Sequence, residues 1–393
     1  MRPLPLLLLV PALALAGCLG DEESKSTRIK GTTLTIYSSL PFRGASARDA
    51  QAVEAGQRLA LQDAGGTVGR YTVRLVQLDS SRPDQAGWDP AQVNANAERA
   101  ADDETAIAYI GELDHGGSAV SLPVTNDAGI LQVSPGDGLP SLTRGLPRSP
   151  LERPERYYPS GRRNFLRLVP TEALLAEALL DLIELDGGNR VALIRDESIA
   201  GGELATRVAR RARARGLDPA ASVEDRDEPA DARGLVEEIS ERQPDAIVYS
   251  GTAGTGFAGI LAALARELPL TPVWGGPGLS TAGAPTLAPE QVATLDPVRP
   301  PRFYPKHSRK LLRRLEGASP EALYGYEAVR IVLDAVEQVG ADRSAVIRHA
   351  LAPGDREGAI GSYEVVGGGD VSESRYALHR LAGGRFDFER LAP

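Results

Sequence analysis

Three side chains that can exchange protons lie close together in the segment ELDHGGS, where Glu112, Asp114 and His115 fall within four consecutive positions. Such a cluster can work as a general acid and base, or it can supply ligands to a metal ion. The chain has no G-x-S-x-G elbow and no H-E-x-x-H pair, and its other histidines all lie beyond residue 300. The sequence therefore predicts neither an enzyme nor a metal site, and a hydrolase built on these three residues stays as an alternative.

A glycine-rich segment offers a second kind of chemistry. In GTGFAG, Gly254, Gly256 and Gly259 match the G-x-G-x-x-G pattern between a predicted strand and a predicted helix. A loop of this kind can hold a phosphate group. The next predicted strand, TPVWGG, ends without the acidic residue that would bind a ribose. The sequence favours a flexible loop with free helix N–H groups over a dinucleotide site, and it predicts no cofactor.

The only cysteine, Cys18, cannot form an intramolecular disulfide and cannot build a zinc site by itself. It follows a positively charged Arg2 and an apolar run that is short for a membrane span. The residues LAGC at positions 15–18 resemble a bacterial lipobox, in which the thiol receives a diacylglyceryl group and cleavage leaves the cysteine first. The resemblance implies a lipoprotein signal peptide over residues 1–17, a lipidated flexible tether over residues 18–31, and an anchor on the extracytoplasmic side of the cell membrane. A plain secretory signal is the alternative, and it also exports the chain.

The composition sets limits on the rest of the chain. About 360 residues follow the tether, which is long for one hydrophobic core and indicates two domains. Hydrophobic residues make up 42% of the sequence, as in a soluble globular protein. The net charge of −9 argues against a nucleic-acid partner, because such a partner needs basic patches.

Short apolar runs alternate with segments of helical spacing, from TLTIYSSL to ILQVSP and again from RVALIRD to TPVWGG. This alternation predicts parallel strands joined by right-handed helical crossovers, in two tandem α/β blocks. Thr171 is expected to cap the helix EALLAEALLDLIELD. Between the blocks, residues 136–163 are rich in Gly, Pro and Arg and predict a mobile loop near the mouth of a cleft. A proline-rich passage follows TPVWGG as far as Pro305, and the chain ends in short strands joined by glycine turns.

The order of these elements resembles that of the type I periplasmic binding proteins, most closely the branched-chain (leucine/isoleucine/valine) amino-acid-binding proteins of ABC transporters. The resemblance is carried by GQRLALQDAGG, AYIGELDHGGSAVSLPVTNDAGILQVSPG, NFLRLVPTE, ERQPDAIVYSG, TPVWGGPGLS, YGYEAVRIVLDAVE and YALHRLAGGRFDF. It implies an α/β fold with two Rossmann-like three-layer (α/β/α) lobes joined by three crossing strands. The crossings are expected near Leu168–Pro170, Trp274–Gly276 and residues 353–359. The predicted lobes are an N-terminal one of residues 32–167 and 277–352, and a C-terminal one of residues 168–276 and 353–393.

The resemblance also implies a function, that of an extracytoplasmic, lipid-anchored substrate-binding protein of an ABC importer. Such a protein captures an amino-acid-like or other small polar solute between its lobes and closes around it by a hinge motion. Its expected partners are the solute, the transmembrane subunits of the permease and the membrane that holds its lipid, and it is expected to be a monomer. A ligand-sensing receptor without a transport role is a further alternative, since the same fold serves both purposes.

The residues expected at the cleft depart from those that hold an amino acid in this family. Asp114 takes the position of a cysteine, His115 that of a ligand-binding serine and Gly138 that of a threonine. In the C-terminal lobe, Ala200 and Thr255 stand where the family has a tyrosine and an acidic residue. The predicted ligand-binding residues are Glu112, Asp114, His115, Gly116, Gly117, Ser118, Gly136, Asp137, Gly138, Ala200, Thr252 and Thr255.

These departures remove most of the clamp for an α-amino acid. An unpaired buried charge destabilises a complex strongly, so a cleft without the right partners rejects a zwitterion. We therefore expect little binding of leucine, isoleucine or valine, and a preference for a neutral or cationic solute. Through His115, binding is expected to depend on pH near neutrality.

Overall fold

A computed structural model describes residues 27–82, 87–145, 153–225, 232–252, 257–280, 291–372 and 375–392. The predicted signal peptide, Cys18, Gly254, Gly256 and Thr255 lie outside these ranges. Within them, the chain forms two lobes, each with its own β-sheet, and a small third sheet. No helix in these ranges has the length and apolar character that a membrane crossing requires.

The elements alternate between strand and helix for most of the chain. The strands are β1 Thr33–Leu40, β2 Thr67–Val68, β3 Tyr71–Asp79, β4 Ala106–Ile110, β5 Leu131–Ser134, β6 Phe165–Arg167, β7 Arg190–Arg195, β8 Asp218–Glu224, β9 Ala246–Ser250, β10 Val273–Gly275, β11 Val292–Asp296, β12 Gly354–Gly358, β13 Gly361–Val366, β14 Asp370–Val371, β15 Ala377–Ala382 and β16 Arg385–Leu391. The helices are α1 Ala47–Asp63, α2 Pro90–Ala101, α3 Ser118–Asp127, α4 Glu172–Leu185, α5 Ile199–Arg215, α6 Ala232–Ser240, α7 Phe257–Glu267, α8 Pro277–Ser280, α9 Lys306–Arg314, α10 Glu321–Val339 and α11 Arg343–Ala350.

The first lobe is built around a six-stranded sheet in the order β2-β3-β1-β4-β5-β6, which is parallel except at the short β2. A parallel sheet must be covered on both faces because its strands are apolar on both sides. Helices α1, α10 and α11 contribute to the core on one face, and α2 and α3 pack on the other. These three layers match the predicted lobe architecture.

Two glycines allow α1 and α10 to pack unusually closely. A Cβ atom at Gly56 would lie 1.8 Å from the carbonyl oxygen of Ala322, and one at Gly325 would lie 2.0 Å from that of Val53. Any side chain at either position would therefore force the two backbones apart. The close packing holds the first turn of α10 beside α1.

The second lobe contains a seven-stranded sheet in the order β16-β15-β11-β10-β9-β7-β8. Strands β7 to β11 run parallel, and β15 and β16 add an antiparallel edge. Helices α4 and α5 cover one face of this sheet, and α6 and α7 cover the other. The predicted cap of α4 is confirmed, since the Thr171 hydroxyl accepts a bond from the Ala173 N–H (3.2 Å).

The predicted lobe boundaries differ from the observed ones after the first crossing. The chain leaves the first lobe between β6 and α4, as expected, but β11 still pairs with β10 in the second lobe. Strand β11 was not predicted, because its five residues lie in the proline-rich passage. The antiparallel sheet β12-β13-β14 contributes to the core of the first lobe. The chain returns to the second lobe with β15, which pairs with β11. The second and third crossings therefore lie after Asp296 and after Val371, instead of at 274–276 and 353–359.

The predicted tether is shorter than residues 18–31. Ile29 is buried in the first lobe, and its N–H donates to the carbonyl of Ala341 (2.8 Å). The Thr27 hydroxyl donates to the carboxylate of Asp342 (2.9 Å). Residues 27–30 thus pack on the end of α10 and the start of α11 instead of leading freely to the lobe.

The stretch 136–163 is not the mobile loop that its composition predicted, where the structure describes it. Leu139, Leu142, Tyr157 and Tyr158 are buried in one apolar cluster with α3 and with Ala200 of the second lobe. The Tyr158 hydroxyl donates to the carbonyl of Leu142 (2.7 Å). Residues 136–145 and 153–163 therefore form a packed strap that touches both lobes.

A buried arginine ties this strap to β6 and to the small sheet. The side chain of Arg167 is 0% exposed, and its Nε donates to Asp370 Oδ1 (2.9 Å). The other guanidinium nitrogens donate to the Thr143 hydroxyl (2.8 Å) and to the carbonyl of Asp137 (3.1 Å). Arg144 pairs with the second oxygen of Asp370 (2.7 Å). Three chain segments that are far apart in sequence meet at this guanidinium.

Loss of the Asp370 charge should destabilise the fold strongly. An Asp370→Asn variant leaves the guanidinium of Arg167 buried without a counter-charge, so we expect a loss of about 3–5 kcal/mol in the free energy of unfolding. Urea denaturation at neutral pH measures it. Asp334→Asn, which removes an exposed i,i+4 pair with Arg330, is the control and should change stability by less than about 0.5 kcal/mol. Equal stability of the two variants would contradict the role given to Arg167.

Candidate ligand-binding site

A cavity of about 110 Å³ lies between the two lobes, where strands of both sheets end. It is lined by residues that follow β4, β5 and β6 on one side and β7, β9 and β10 on the other. Open α/β sheets bind their ligands at the carboxyl ends of their strands. This cavity is therefore the candidate site, and it lies where the resemblance placed it.

Most of the charged side chains that line the cavity are acidic. Five carboxylates from both lobes face it, those of Asp49, Asp114, Glu172, Asp296 and Glu321. His115 is the one basic side chain that lines it within the described part of the chain, with no Arg or Lys. The described lining is thus acidic.

Three of these carboxylates lie close enough that the charge on one disfavours ionisation of the others. Asp49 is in the first turn of α1, Glu321 begins α10, and Asp296 ends β11. Burial, together with the charges of Glu321 and Asp114, raises the pKa of Asp49 to about 7. Burial and the charges of Glu321 and Asp49 raise the pKa of Asp296 to about 8. A cation placed between them would relieve this repulsion.

A second acidic group includes an ion pair that joins the lobes. His115 Nδ1 of the first lobe lies 2.6 Å from Glu172 Oε1, at the start of α4 in the second lobe. Burial lowers the pKa of His115, but the carboxylates of Glu172, Asp137 and Asp114 more than offset that effect and raise the pKa to about 9. The expectation that His115 titrates near neutrality is therefore wrong, since the imidazole carries its charge at pH 7.

Asp137 uses the backbone donors that an anionic ligand would need. Its carboxylate accepts bonds from the N–H groups of Gly116 (3.0 Å), Ser118 (2.8 Å) and Leu139 (3.0 Å). Two of these donors lie at the start of α3, where free N–H groups and the helix dipole attract anions. Asp137 is fully buried and does not line the cavity. The amides beside Gly117 thus have an internal anion as their partner.

Glu112 and Ser118 lie behind the cavity instead of facing it. Glu112 is 2% exposed and accepts bonds from the hydroxyls of Tyr109 (2.6 Å) and Ser39 (3.0 Å). Burial raises its pKa to about 8. The Ser118 hydroxyl accepts a bond from the Glu112 N–H (3.2 Å). Both residues therefore hold the loop after β4 and do not line the cavity.

The arrangement of this loop gives no support to the hydrolase alternative. Glu112 bonds to Tyr109 and Ser39, whereas Asp114 accepts a bond from the Ser46 hydroxyl (2.6 Å) and His115 pairs with Glu172. The three side chains do not act on one another as a general acid and base would. Among the described residues, no three His, Cys, Asp or Glu side chains converge as metal ligands.

Three of the remaining predicted residues shape the wall of the cavity, whereas Gly116, Gly117 and Gly138 do not line it. Gly136, Ala200 and Thr252 line it. Gly138 lies beneath the interlobe ion pair, and a Cβ atom there would come within 3.2 Å of the His115 ring. A side chain at this position would therefore require a small shift of the His115 ring or of the Glu172 side chain. Ala200 also packs into the apolar cluster of the strap, so it lies at the contact between the lobes.

Sequence reasoning missed four of the five carboxylates that line the cavity, Asp49, Glu172, Asp296 and Glu321. Asp49, Glu172 and Glu321 lie in the first turn of a helix, and Asp296 ends a strand. An acidic residue at such a position is a signal that the sequence offered, because these ends meet at the edge of the sheet where ligands bind. Asp296 was lost together with β11, the strand that carries it.

Solved structures of solute-binding proteins share this fold. A leucine-binding protein from Thermotoga maritima matches with a TM-score of 0.76 at 20% identity, over 91% of this chain and 98% of that one. An ABC transporter substrate-binding protein from Desulfitobacterium hafniense in complex with Leu matches with a TM-score of 0.72 at 20% identity, over 91% and 100%. A solute-binding protein of an ABC transporter from R. palustris in complex with benzoate matches with a TM-score of 0.71 at 19% identity, over 92% and 97%.

A comparison with curated protein sequences gives no significant match. At such low identities, the structural matches establish the fold alone. The family model for periplasmic binding proteins matches residues 33–370, which is most of the chain and includes all the described residues that line the cavity. The chain therefore belongs to the periplasmic binding protein family.

Proposed function

We propose that this protein is the extracytoplasmic substrate-binding component of an ABC importer, which captures a small solute between its lobes and delivers it to the permease. The observation that carries the proposal is the cavity at the carboxyl ends of both sheets, lined by both lobes and spanned by the His115–Glu172 ion pair. A ligand in this position contacts both lobes at once. Its binding therefore favours the closed arrangement over the open one.

The charge of the cavity supports a neutral or cationic solute. A free α-amino acid carries a carboxylate, and the only cationic side chain that the described lining offers that group is His115, which Glu172 already engages. The backbone donors at Gly116 and Ser118 are engaged by Asp137. The ionised carboxylates among the five that line the cavity would repel a further anion. In this respect the cavity suits a different class of solute from the Leu and benzoate bound by the proteins of similar fold.

The place of the protein in the cell is part of the same proposal. The LAGC sequence at positions 15–18 supports lipidation of Cys18 and an anchor on the outer face of the cell membrane. Residues 27–30 are packed on the first lobe, so the leash between lipid and protein would comprise about eight residues beyond Cys18 and reach at most roughly 30 Å. A leash of this length would keep the folded body close to the membrane surface. The folded body is proposed to act as a monomer.

A thermal-shift screen with scattering tests the proposed ligand class. We expect leucine, isoleucine and valine at micromolar concentrations to leave the unfolding midpoint unchanged, because the described lining offers their carboxylate no cationic side chain apart from the engaged His115. Amides and amines are expected to raise the midpoint by mass action. The solute that raises it should also lower the radius of gyration in small-angle scattering. A clear shift with leucine would contradict the ligand class, and an unchanged radius at saturation would contradict closure.

Replacement of the lipobox cysteine tests the anchor. In the Cys18→Ala variant no thiol can receive the diacylglyceryl group, so the protein should move from the membrane fraction to the soluble fraction. Fractionation followed by immunoblotting measures the shift. Cys18→Ser, which lacks the thiol but keeps its size, should behave in the same way, and retention of both variants in the membrane would contradict the anchor.

The ion pair between the lobes should make the ligand-free protein open at high pH. Because the pKa of His115 is raised from 6.5 to about 9, the attraction to Glu172 is fully present below pH 6.5 and is lost as the pH rises through 9. Ionisation of Asp49 and Asp296 over the same range adds repulsion in the same direction. The radius of gyration should therefore increase from pH 6.5 to above pH 9.

A histidine variant separates the ion pair from the other titrating groups. His115→Gln should have the larger radius of gyration already at pH 6.5, and the rise on going above pH 9 should be reduced. His307→Gln is the control, since His307 is exposed on α9 and contacts the carbonyl of Gly358. If His115→Gln and the wild-type protein show the same radius at every pH, the pair does not hold the lobes together.

A further inference from the structure

We infer that the solute held in the cavity is an organic cation with two or more ammonium groups separated by a short apolar chain. The inference rests on the proposed function, in that it takes the cavity between the lobes as the ligand site. It goes further by assigning the charge of the solute and the number of its cationic groups.

The charge balance of the cavity calls for more than one positive charge. Five carboxylates line it, and the described lining includes a single basic side chain, His115. Arg48, whose charge lowers the pKa of Asp49, has an exposed side chain and does not line the cavity. Since attraction between opposite charges strengthens as water is excluded, closure of the lobes would favour a polycation over a singly charged solute.

Two buried carboxylate oxygens, on residues that line the cavity, have no hydrogen-bond donor among the described residues. They are Glu172 Oε2 and Glu321 Oε2, both of which are buried atoms of residues that line the cavity. The residue Glu172 is only 4% exposed. A buried acceptor without a donor is unfavourable. An ammonium group has three N–H donors and no acceptor, so it satisfies such an oxygen without leaving a polar atom of its own unpaired.

The two unpartnered oxygens belong to different acidic groups. Glu321 interacts with Asp49 and Asp296 on the side of the cavity formed by α1, α10 and the end of β11. Glu172 begins α4 and pairs with His115. The lining also includes aliphatic side chains, namely those of Val53, Leu113, Val169, Leu204 and Val298. This combination suits an alkyl chain with an ammonium group at each end.

An organic cation fits this site better than a metal ion does. A divalent metal needs several oxygen ligands that converge on one point, and no such group of three acidic or histidine side chains exists in the described part of the chain. The carboxylates are instead spread over both lobes. Two unpartnered acceptors on different elements, in a lining that also contains aliphatic side chains, match a flexible diamine or longer oligoamine.

Proton release should accompany binding of such a solute. Asp49 faces Glu321, Asp114 and the exposed Arg48, and Asp296 faces Glu321, Asp49 and His115. The pKa values of Asp49 (about 7) and Asp296 (about 8) are raised, so both groups are partly protonated at neutral pH. An ammonium group favours their ionised forms and expels these protons. Affinity should therefore increase as the pH rises from 6 to 8.5, a range in which an alkylamine keeps its own charge.

Titration calorimetry with three matched probes tests the inference. The probes are 1,5-diaminopentane, 1-aminopentane and pentane-1,5-diol, which share a carbon chain and carry two, one and no positive charges. The diamine should bind about tenfold to a hundredfold more tightly than the monoamine, since a charge-assisted hydrogen bond contributes on that scale. The diol should not bind measurably. Repetition in buffers of different ionisation enthalpy measures the protons released.

Two variants locate the ammonium sites. Glu321→Gln and Glu172→Gln should each reduce the preference for the diamine over the monoamine to less than about threefold. Each variant replaces a charged acceptor with a neutral side chain of similar size. Glu54→Gln, which breaks an exposed i,i+4 pair with Arg58 on α1, is the matched control and should bind like the wild-type protein. Circular dichroism and the unfolding midpoint show whether each variant is folded, and a variant that does not fold is replaced by Asp296→Asn, for which the same loss is expected.

The outcomes separate this inference from the proposed function. Equal affinity for diamine and monoamine, or full affinity in the glutamine variants, would overturn the inference. So would binding of Mg²⁺ or Ca²⁺ in preference to the diamine. If a neutral solute binds and compacts the protein while no amine does, the inference fails and the proposed function stands. If no solute of any charge raises the unfolding midpoint or compacts the protein, the proposed function fails as well.

Discussion

The fully buried guanidinium of Arg167 is the interaction on which the arrangement of the cleft depends. A buried charge is tolerated only when its counter-charge and hydrogen-bond partners are held in place. Arg167 meets this requirement with Asp370 of the small C-terminal sheet, with Thr143 of the strap and with the backbone of Asp137. The need to satisfy one guanidinium therefore fixes the position of the segment that supplies Asp137.

Asp137 extends this network to the edge of the cavity. Its carbonyl accepts a bond from Arg167, and its carboxylate accepts bonds from the amides that begin α3. The amides are thereby satisfied from within the protein, and the loop that carries Asp114 and His115 is held against the strap. His115 then reaches across to Glu172. A chain of buried polar contacts thus runs from the core of the first lobe to the second lobe.

The described lining of the cavity contains more acidic than basic side chains. Three of its carboxylates lie at helix starts, one lies at the end of β11 and one lies in the loop after β4. They meet because the two lobes place these ends opposite each other. Proteins normally avoid a cluster of buried like charges, and the raised pKa values of Asp49 and Asp296 reflect that conflict. A conflict of this kind at the carboxyl edge of two sheets is typical of a binding site, where the ligand supplies the missing charge.

The sequence by itself determined the α/β class, the two lobes, the first crossing after β6 and the acidic character of the loop after β4, because strand–helix alternation and turn residues are local signals. Only the tertiary structure decided which residues meet. Strand β11 and its Asp296 lie in a proline-rich passage with weak local signal, and the close packing that Gly56 and Gly325 allow brings Glu321 beside Asp49 across more than 250 residues of chain. Burial also decided that Glu112 and Asp137 face inward and that His115 stays charged at pH 7, since each outcome depends on long-range partners that no local pattern encodes.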